Sequence, residues 1–128
     1  MHLVLDTHAL LWWLAGDTSL SRAARGAIED ELNVVHVSAV SAWEITTKHR
    51  IGRLSGWASV AADFEQIVAD QGFLPLPITI RHGQAAGSLP GPLRDPFDRM
   101  LIAQSMLEAM ALVSNETVFD AYGVRRLW

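Results

Sequence analysis

Short apolar runs of strand character alternate with segments of helical period along this chain. That alternation predicts an α/β layered fold with a mainly parallel sheet. Two further observations favour one domain over residues 1–128. The chain has 128 residues, half of them hydrophobic, enough to bury a core without staples. No internal repeat and no Gly/Ser-rich linker divides it. Cysteine is absent, which excludes disulfides and thiolate metal sites, so any metal must rest on oxygen or imidazole. The formal charge of −4 makes no global case for nucleic-acid binding. It counts mildly against it unless bound cations or a local basic patch reverse the field.

The elements follow in order. Leu3-Val4-Leu5 predicts a buried strand ended by Asp6, with Thr7 placed to cap the next helix. This apolar start is too short for a signal peptide or a membrane span, and a soluble cytoplasmic protein is expected. Residues 8–14 are apolar on nearly all sides and predict a buried helix, in which His8 reads as a core histidine rather than a general base. From Ser19 a second helix is patterned by Leu20, Ala23, Ala24, Ala27, Ile28 and Leu32. Residues 34–37 predict a strand. Ser38 or Ser41 opens a helix to about residue 50, with Val40, Trp43, Glu44, Thr47 and Ile51 inward. A helix over 59–70 points Val60, Phe64, Ile67 and Val68 inward, and residues 73–78 are extended, their two prolines suiting an edge strand. A short helix over 80–86 leads to a loop over 87–93. The next helix runs from Asp95-Pro96 to about residue 110, and strands are expected over 111–114 and 124–127.

Four acids stand out. Asp95-Pro96 is a helix start, because Asp is a good N-cap and proline is tolerated at the first helical position. Asp95 is therefore assigned to structure. Asp98 could complete a reciprocal cap, but it shares an inward face with Leu101, Ile102, Ser105 and Ala109. A carboxylate there needs a partner. Asp6 and Glu116 each follow an apolar strand, and Glu44 sits near a helix start on its apolar side. The plain alternatives are a helix cap for Asp6, a capping box with Ser41 for Glu44 and a turn acid for Glu116. In an open parallel sheet, strand C-termini and helix N-termini share one edge, where ligands bind. All four acids are thus sent to one place, where they would repel and partly protonate unless a cation joined them. Hard oxygen ligands suit Mg²⁺ or Mn²⁺, and such a site suits phosphodiester hydrolysis by a metal-activated water. The chain has no G-x-S-x-G elbow, P-loop, G-x-G-x-x-G or H-E-x-x-H motif.

Four blocks carry a resemblance. They are Leu3-Val4-Leu5-Asp6-Thr7-His8-Ala9-Leu10-Leu11-Trp12, Ser38-Ala39-Val40-Ser41-Ala42-Trp43-Glu44-Ile45, Asp95-Pro96-Phe97-Asp98-Arg99-Met100-Leu101-Ile102-Ala103-Gln104 and Leu112-Val113-Ser114-Asn115-Glu116-Thr117-Val118-Phe119. In this order they resemble a PIN domain, and more narrowly the VapC-type toxins of bacterial toxin–antitoxin pairs. The resemblance implies a three-layer α/β/α sandwich with a parallel sheet of four or five strands. It also implies a Mg²⁺- or Mn²⁺-dependent endoribonuclease, a homodimer, and a cognate antitoxin that inserts a peptide near the active site. Asp6, Glu44 and Asp98 match the family's three acids. Its fourth, usually Asp in Thr-x-Asp-x-x-Phe, falls on Glu116, one methylene longer, which leaves direct ligation, ligation through water or a shifted second metal open. The motif hydroxyl falls on Ser114, and Thr7 follows the first acid; both are expected to orient ligands or waters.

Other residues carry weaker signals. Arg99 could contact phosphate, balance the acids or be solvated. Lys48, Arg50 and Arg53 are candidates for the RNA backbone, although a charged helix end is commonly just solvated. The five tryptophans read as core or dimer contacts, with base stacking open for Trp57. The 87–93 loop could gate the site or simply connect. Two rival functions stand beside the ribonuclease: a hydrolase of small phosphorylated molecules, and a PIN-like protein-interaction module with weak or no catalysis.

Overall fold

A computed structural model describes the chain from Met1 to Trp128. Strand β1 (His2–Leu5) runs into helix α1 (Thr7–Ala15) through Asp6, which ends the strand and caps the helix, its Oδ1 accepting the Ala9 N–H at 2.8 Å. Gly16 closes α1 in the left-handed conformation, at φ +64°, where a side chain would be strained. Helix α2 (Arg22–Glu29) is shorter than its pattern suggested. Ser21, not Ser19, caps it by accepting the Ala24 N–H at 3.0 Å. Ala23 is exposed, and so is Leu32, 87 % so, beyond the helix end.

Strand β2 (Val34–Ser38) passes directly into α3 (Ala39–Arg50), with Ser38 as the cap. The inward stripe expected here is partly wrong: Trp43 is 56 % exposed, and Ile51 points outward as well. Trp43 leans edge-on against Phe97 instead, with ring centroids 4.8 Å apart. The single helix expected over 59–70 is two, α4 (Ala58–Ala62) and α5 (Phe64–Asp70), broken at Asp63. After β3 (Leu74–Leu76), helix α6 (Ile80–Ser88) begins with a capping box. In it the Thr79 hydroxyl accepts the His82 N–H, and His82 Nδ1 accepts the Thr79 N–H. Helix α7 (Pro96–Leu107), strand β4 (Ala111–Val113), a 3₁₀ turn (Thr117–Tyr122) and β5 (Arg126–Leu127) complete the chain.

All five strands are parallel, in the order β3-β2-β1-β4-β5, so the expected mainly parallel sheet is realised in full and the Pro75-bearing strand is at an edge. Strand alternation divides the core. Leu3, Leu5, Val35, Val37, Ala111 and Val113 face α1, α2, α4 and α5. Val4 and Leu112 face the opposite way, against Leu101 and Ile102 of α7. The result is the α/β/α sandwich. Burying a leucine such as Leu3 or Leu10 contributes about 1.5–3 kcal/mol, which explains why the central strand is apolar on both faces. No helix is long and apolar enough to cross a membrane.

Candidate active site

Strand β1 is central because the chain builds outward from it on both sides. The carboxyl ends of β1 and β4 therefore open onto the crevice where such sheets bind ligands. A cavity of about 150 Å³ lies there, lined by Asp6, Thr7, His8, Glu44, Lys48, Asp95, Asp98 and Glu116, with no apolar residue among them. All four acids singled out from the sequence converge on it.

Each acid arrives by a different local route. Asp6 is fixed by its double duty as strand end and helix cap and is only 4 % exposed. Burial raises its pKa above the usual carboxylate value, partly offset by the Ser114 hydroxyl and the Ala9 N–H. Glu44 sits on the second turn of α3, also 4 % exposed, with Lys48 Nζ donating to its Oε2 at 2.5 Å. It forms no capping box with Ser41. Ser38 caps that helix, and Ser41 Oγ accepts the Thr7 hydroxyl at 3.1 Å. Thr7 lines the cavity and braces α1 against α3. Ser114 Oγ accepts the Glu116 N–H at 3.0 Å, which sets the turn that carries Glu116 into the cavity.

Asp98 is the most perturbed group. Its pKa is pushed from 3.8 up to about 7, first by burial and then by the charges of Asp95, Glu44, Asp6 and Glu116. It makes no reciprocal cap; Asp95 Oδ1 alone accepts the Phe97 and Asp98 N–H groups, at 2.8 and 3.2 Å. Asp95 does cap, as expected, but it also lines the cavity and adds to the crowding, a role its helix-start context hid. His8 is a second correction. It is exposed at the cavity, its ring tilted against Trp12 with centroids 5.6 Å apart, not buried in the core, because the first residues of α1 open onto the sheet edge.

The basic residues separate clearly. Arg99 turns away from the acids and donates to four carbonyls: Ala86 (3.0 Å), Gly87 (3.4 Å), Leu89 (2.6 Å) and Leu93 (2.8 Å). Together with the Tyr122 hydroxyl, which accepts the Leu93 N–H at 3.0 Å, it ties down the loop after α6. Arg50 and Arg53 are exposed and do not line the cavity, whereas Lys48 does. Trp57 packs against the core, with Trp12, Trp13 and Trp128. A larger hollow of about 470 Å³ between α3, α5 and β3 is mostly apolar and brings no comparable cluster of titratable groups together.

The donor chemistry of the acidic cavity fits Mg²⁺ or Mn²⁺: hard oxygens only, with an excess of negative charge that burial and crowding make costly. As the side chains stand, no three of them converge closely enough to hold a metal ion.

A parallel α/β/α domain with its acids gathered at the carboxyl edge of the sheet is the class the geometry defines. Residues 3–124 match the family model of the PIN domain, and the chain belongs to that family. PIN domains are generally nucleases and typically use divalent metal ions. Among solved structures, the chain is similar to one described as VapBC2 from Rickettsia felis bound to a DNA fragment from their promoter. The TM-score is 0.69 at 12 % identity, over 95 % of this chain and 93 % of that one. It is also similar to FitAB bound to an IR36 DNA fragment, with a TM-score of 0.61 at 19 % identity, over 95 % and 91 % of the two chains. At these identities the likeness concerns the fold. No curated protein matches the chain.

Proposed function

We propose that this protein is a metal-dependent endoribonuclease that hydrolyses RNA phosphodiester bonds and acts as the toxin of a type II toxin–antitoxin pair. The observation that carries the reading is the convergence of Asp6, Glu44, Asp98 and Glu116 on one small cavity in a PIN-family chain. Asp6, Glu44 and Asp98 would hold one Mg²⁺ or Mn²⁺, with Glu116 assisting it or a second ion. Bound there, the cation would supply an activated water and steady the leaving oxygen.

The chain's own residues prepare that site. Asp6 spends one oxygen on the Ala9 N–H, and a carboxylate's remaining lone pairs stay available to a ligand. The Thr7–Ser41 bond holds α1 and α3, and so Asp6 and Glu44, in fixed relation. The Ser114 hydroxyl does the same for the turn bearing Glu116. The cavity size argues about substrate. At about 150 Å³ it is below the roughly 300 Å³ or more typical of small-molecule sites, so it suits one phosphate of a longer chain rather than an enclosed nucleotide. That weighs against the small-molecule hydrolase.

Partners belong to the same proposal. A cognate antitoxin would bind and restrain the enzyme, and two copies of the chain would form a homodimer in the cytoplasm. The exposed Trp43 beside Phe97 offers an apolar contact near the site for such a partner copy. A second reading, a PIN-like interaction module, draws support from the absence of three acids already at ligating distance.

Cleavage separates the two. Purified protein would be given single-stranded and structured RNAs with Mg²⁺, Mn²⁺ or chelator, beside Asp98→Asn. Discrete cuts that require metal and disappear in the variant are expected. RNA left whole by the wild type in every condition, including after removal of any co-purified partner, would favour the interaction module.

A further inference from the structure

Within the acidic cavity, the carboxylates of Asp6, Glu44, Asp95, Asp98 and Glu116 face a single ammonium, that of Lys48. The His8 imidazole also lines the cavity and acts on Asp6, but the remaining basic side chains named above are committed or remote. Arg99 is bound to four carbonyls, and Arg50 and Arg53 are exposed outside the cavity. Lys48 lies one turn beyond Glu44 on α3, its Nζ 2.5 Å from Glu44 Oε2. Glu–Lys pairs at this spacing are common on helix surfaces, where both groups stay hydrated and the pair contributes little. This pair is lopsided: the Glu44 side chain is 5 % exposed and that of Lys48 33 %. The glutamate has exchanged its water for one ammonium, while the ammonium has kept a route to solvent. A lysine carries three donors on a flexible four-carbon stem, so it can change partner by rotation alone.

We propose that Lys48 is the internal counter-ion of the carboxylate cavity and exchanges partners during function. It holds Glu44 while no divalent cation is present. Once Glu44 is given over to such a cation, the Lys48 ammonium turns to a non-bridging oxygen of the RNA phosphate. The second half rests on the ribonuclease reading. The exchange is balanced in charge, one anion for another, and makes or breaks no covalent bond. It answers two needs of the site together. Part of the negative charge that Glu44 brings beside Asp98 is offset in the metal-free protein, and a polyanion approaching five carboxylates meets a positive group.

The test uses two variants of the full chain, Lys48→Met, which keeps the stem without the charge, and Lys48→Arg, which keeps the charge. Circular dichroism and thermal melting would first confirm that both fold. Calorimetric titration with Mn²⁺ alone is expected to show Lys48→Met binding about threefold to fivefold tighter than wild type, as removal of a competing ion pair of this kind allows. Lys48→Arg is expected to stay close to wild type. Fluorescence anisotropy with a labelled single-stranded RNA 20-mer, on chains that keep all four acids and carry Ca²⁺ in place of Mn²⁺ to suppress cutting, is expected to show about fivefold weaker binding for Lys48→Met. Equal or weaker Mn²⁺ affinity in Lys48→Met overturns the counter-ion role, and unchanged RNA affinity overturns the phosphate role. Wild type that cuts RNA while Lys48→Met matches it in both titrations defeats this inference alone. Wild type that binds neither Mn²⁺ nor RNA defeats the ribonuclease reading and this inference together.

Discussion

Asp98 and Arg99 are neighbours in α7 and belong to two regions of opposite character. Arg99 reaches into the loop after α6 and gives its donors to four carbonyls. Asp98 enters the acidic cavity, receives no compensating cation and is pushed up to about 7 by burial and by four other acids. The loop region is finished by folding alone. The cavity is left unfinished in charge, although no buried side-chain nitrogen or oxygen of the chain lacks a hydrogen-bond partner. On the proposed reading, the loop is complete by folding, whereas the groups that raise one another's pKa gather where a ligand is to bind.

That contrast can be broken from either side. The largest effect is expected on activity. Asp6→Asn or Asp98→Asn should each lower metal-dependent RNA cleavage by at least about 10²-fold, the order seen when a group acting on developing charge is removed. Melting temperatures measured with chelator should stay at or above the wild-type value. A variant that cuts at the wild-type rate would remove that acid from the site.

On the clamp side, Arg99→Met should cost about 3 kcal/mol in urea unfolding, because it strands carbonyls that the guanidinium now serves. A loss below about 1 kcal/mol would mean that water replaces the arginine easily and that the loop is not held by it. Gly91→Ala attacks the same loop by another route. Gly91 sits at φ +92°, and a Cβ there would stand 2.7 Å from the Tyr122 hydroxyl oxygen, so a loss of about 2 kcal/mol is expected, with cleavage little changed. Strong loss of cleavage in this variant at a temperature where it remains folded would tie the loop to catalysis after all.

The smallest effect is a pH dependence, and its sign distinguishes the cavity from ordinary surface acids. Asp98 in the folded chain holds its proton up to about pH 7, whereas the unfolded chain releases it near 3.8. Its contribution is therefore fully present below the lower value and is lost as pH rises through the upper one. In chelator, unfolding free energy should fall by about 1–2 kcal/mol between pH 5 and pH 8 after allowance for solvent screening, and Asp98→Asn should flatten that fall. A wild-type profile that is flat or rises over this range would show that the acids do not crowd one another.

Much of this arrangement is legible in the residues alone, and the exceptions have identifiable causes. The strands over Leu3-Val4-Leu5 and residues 111–113 are short apolar runs, and burial on both faces is the only use a parallel sheet makes of them. The cap at Asp95 is local chemistry and falls where the sequence pattern puts it, whereas α1 is capped by Asp6, one residue before the expected Thr7, whose hydroxyl is given to Ser41. Helical periodicity was less reliable. It placed Trp43 inward because it shares a stripe with Val40 and Glu44, yet that stripe is wider than the surface α3 has to cover, and Trp43 is left on the flank against Phe97. It also carried α2 as far as Leu32, although the helix stops at Glu29. His8 looked apolar by its neighbours' company, but the first turn of α1 begins at the open edge of the sheet.

Periodicity and capping act within a few residues, and they suffice for the alternation of strands and helices, the four acids at strand ends and helix starts, and hence their common edge. The partners of those side chains come from the packed fold. It turned Arg99 to the loop carbonyls, brought Asp95 into the cavity beside Asp98 and left Lys48 as the ammonium among the acids. Those outcomes depend on distances between residues far apart in the chain, and a side chain with three or four rotatable bonds takes its partner from whatever the fold brings within reach.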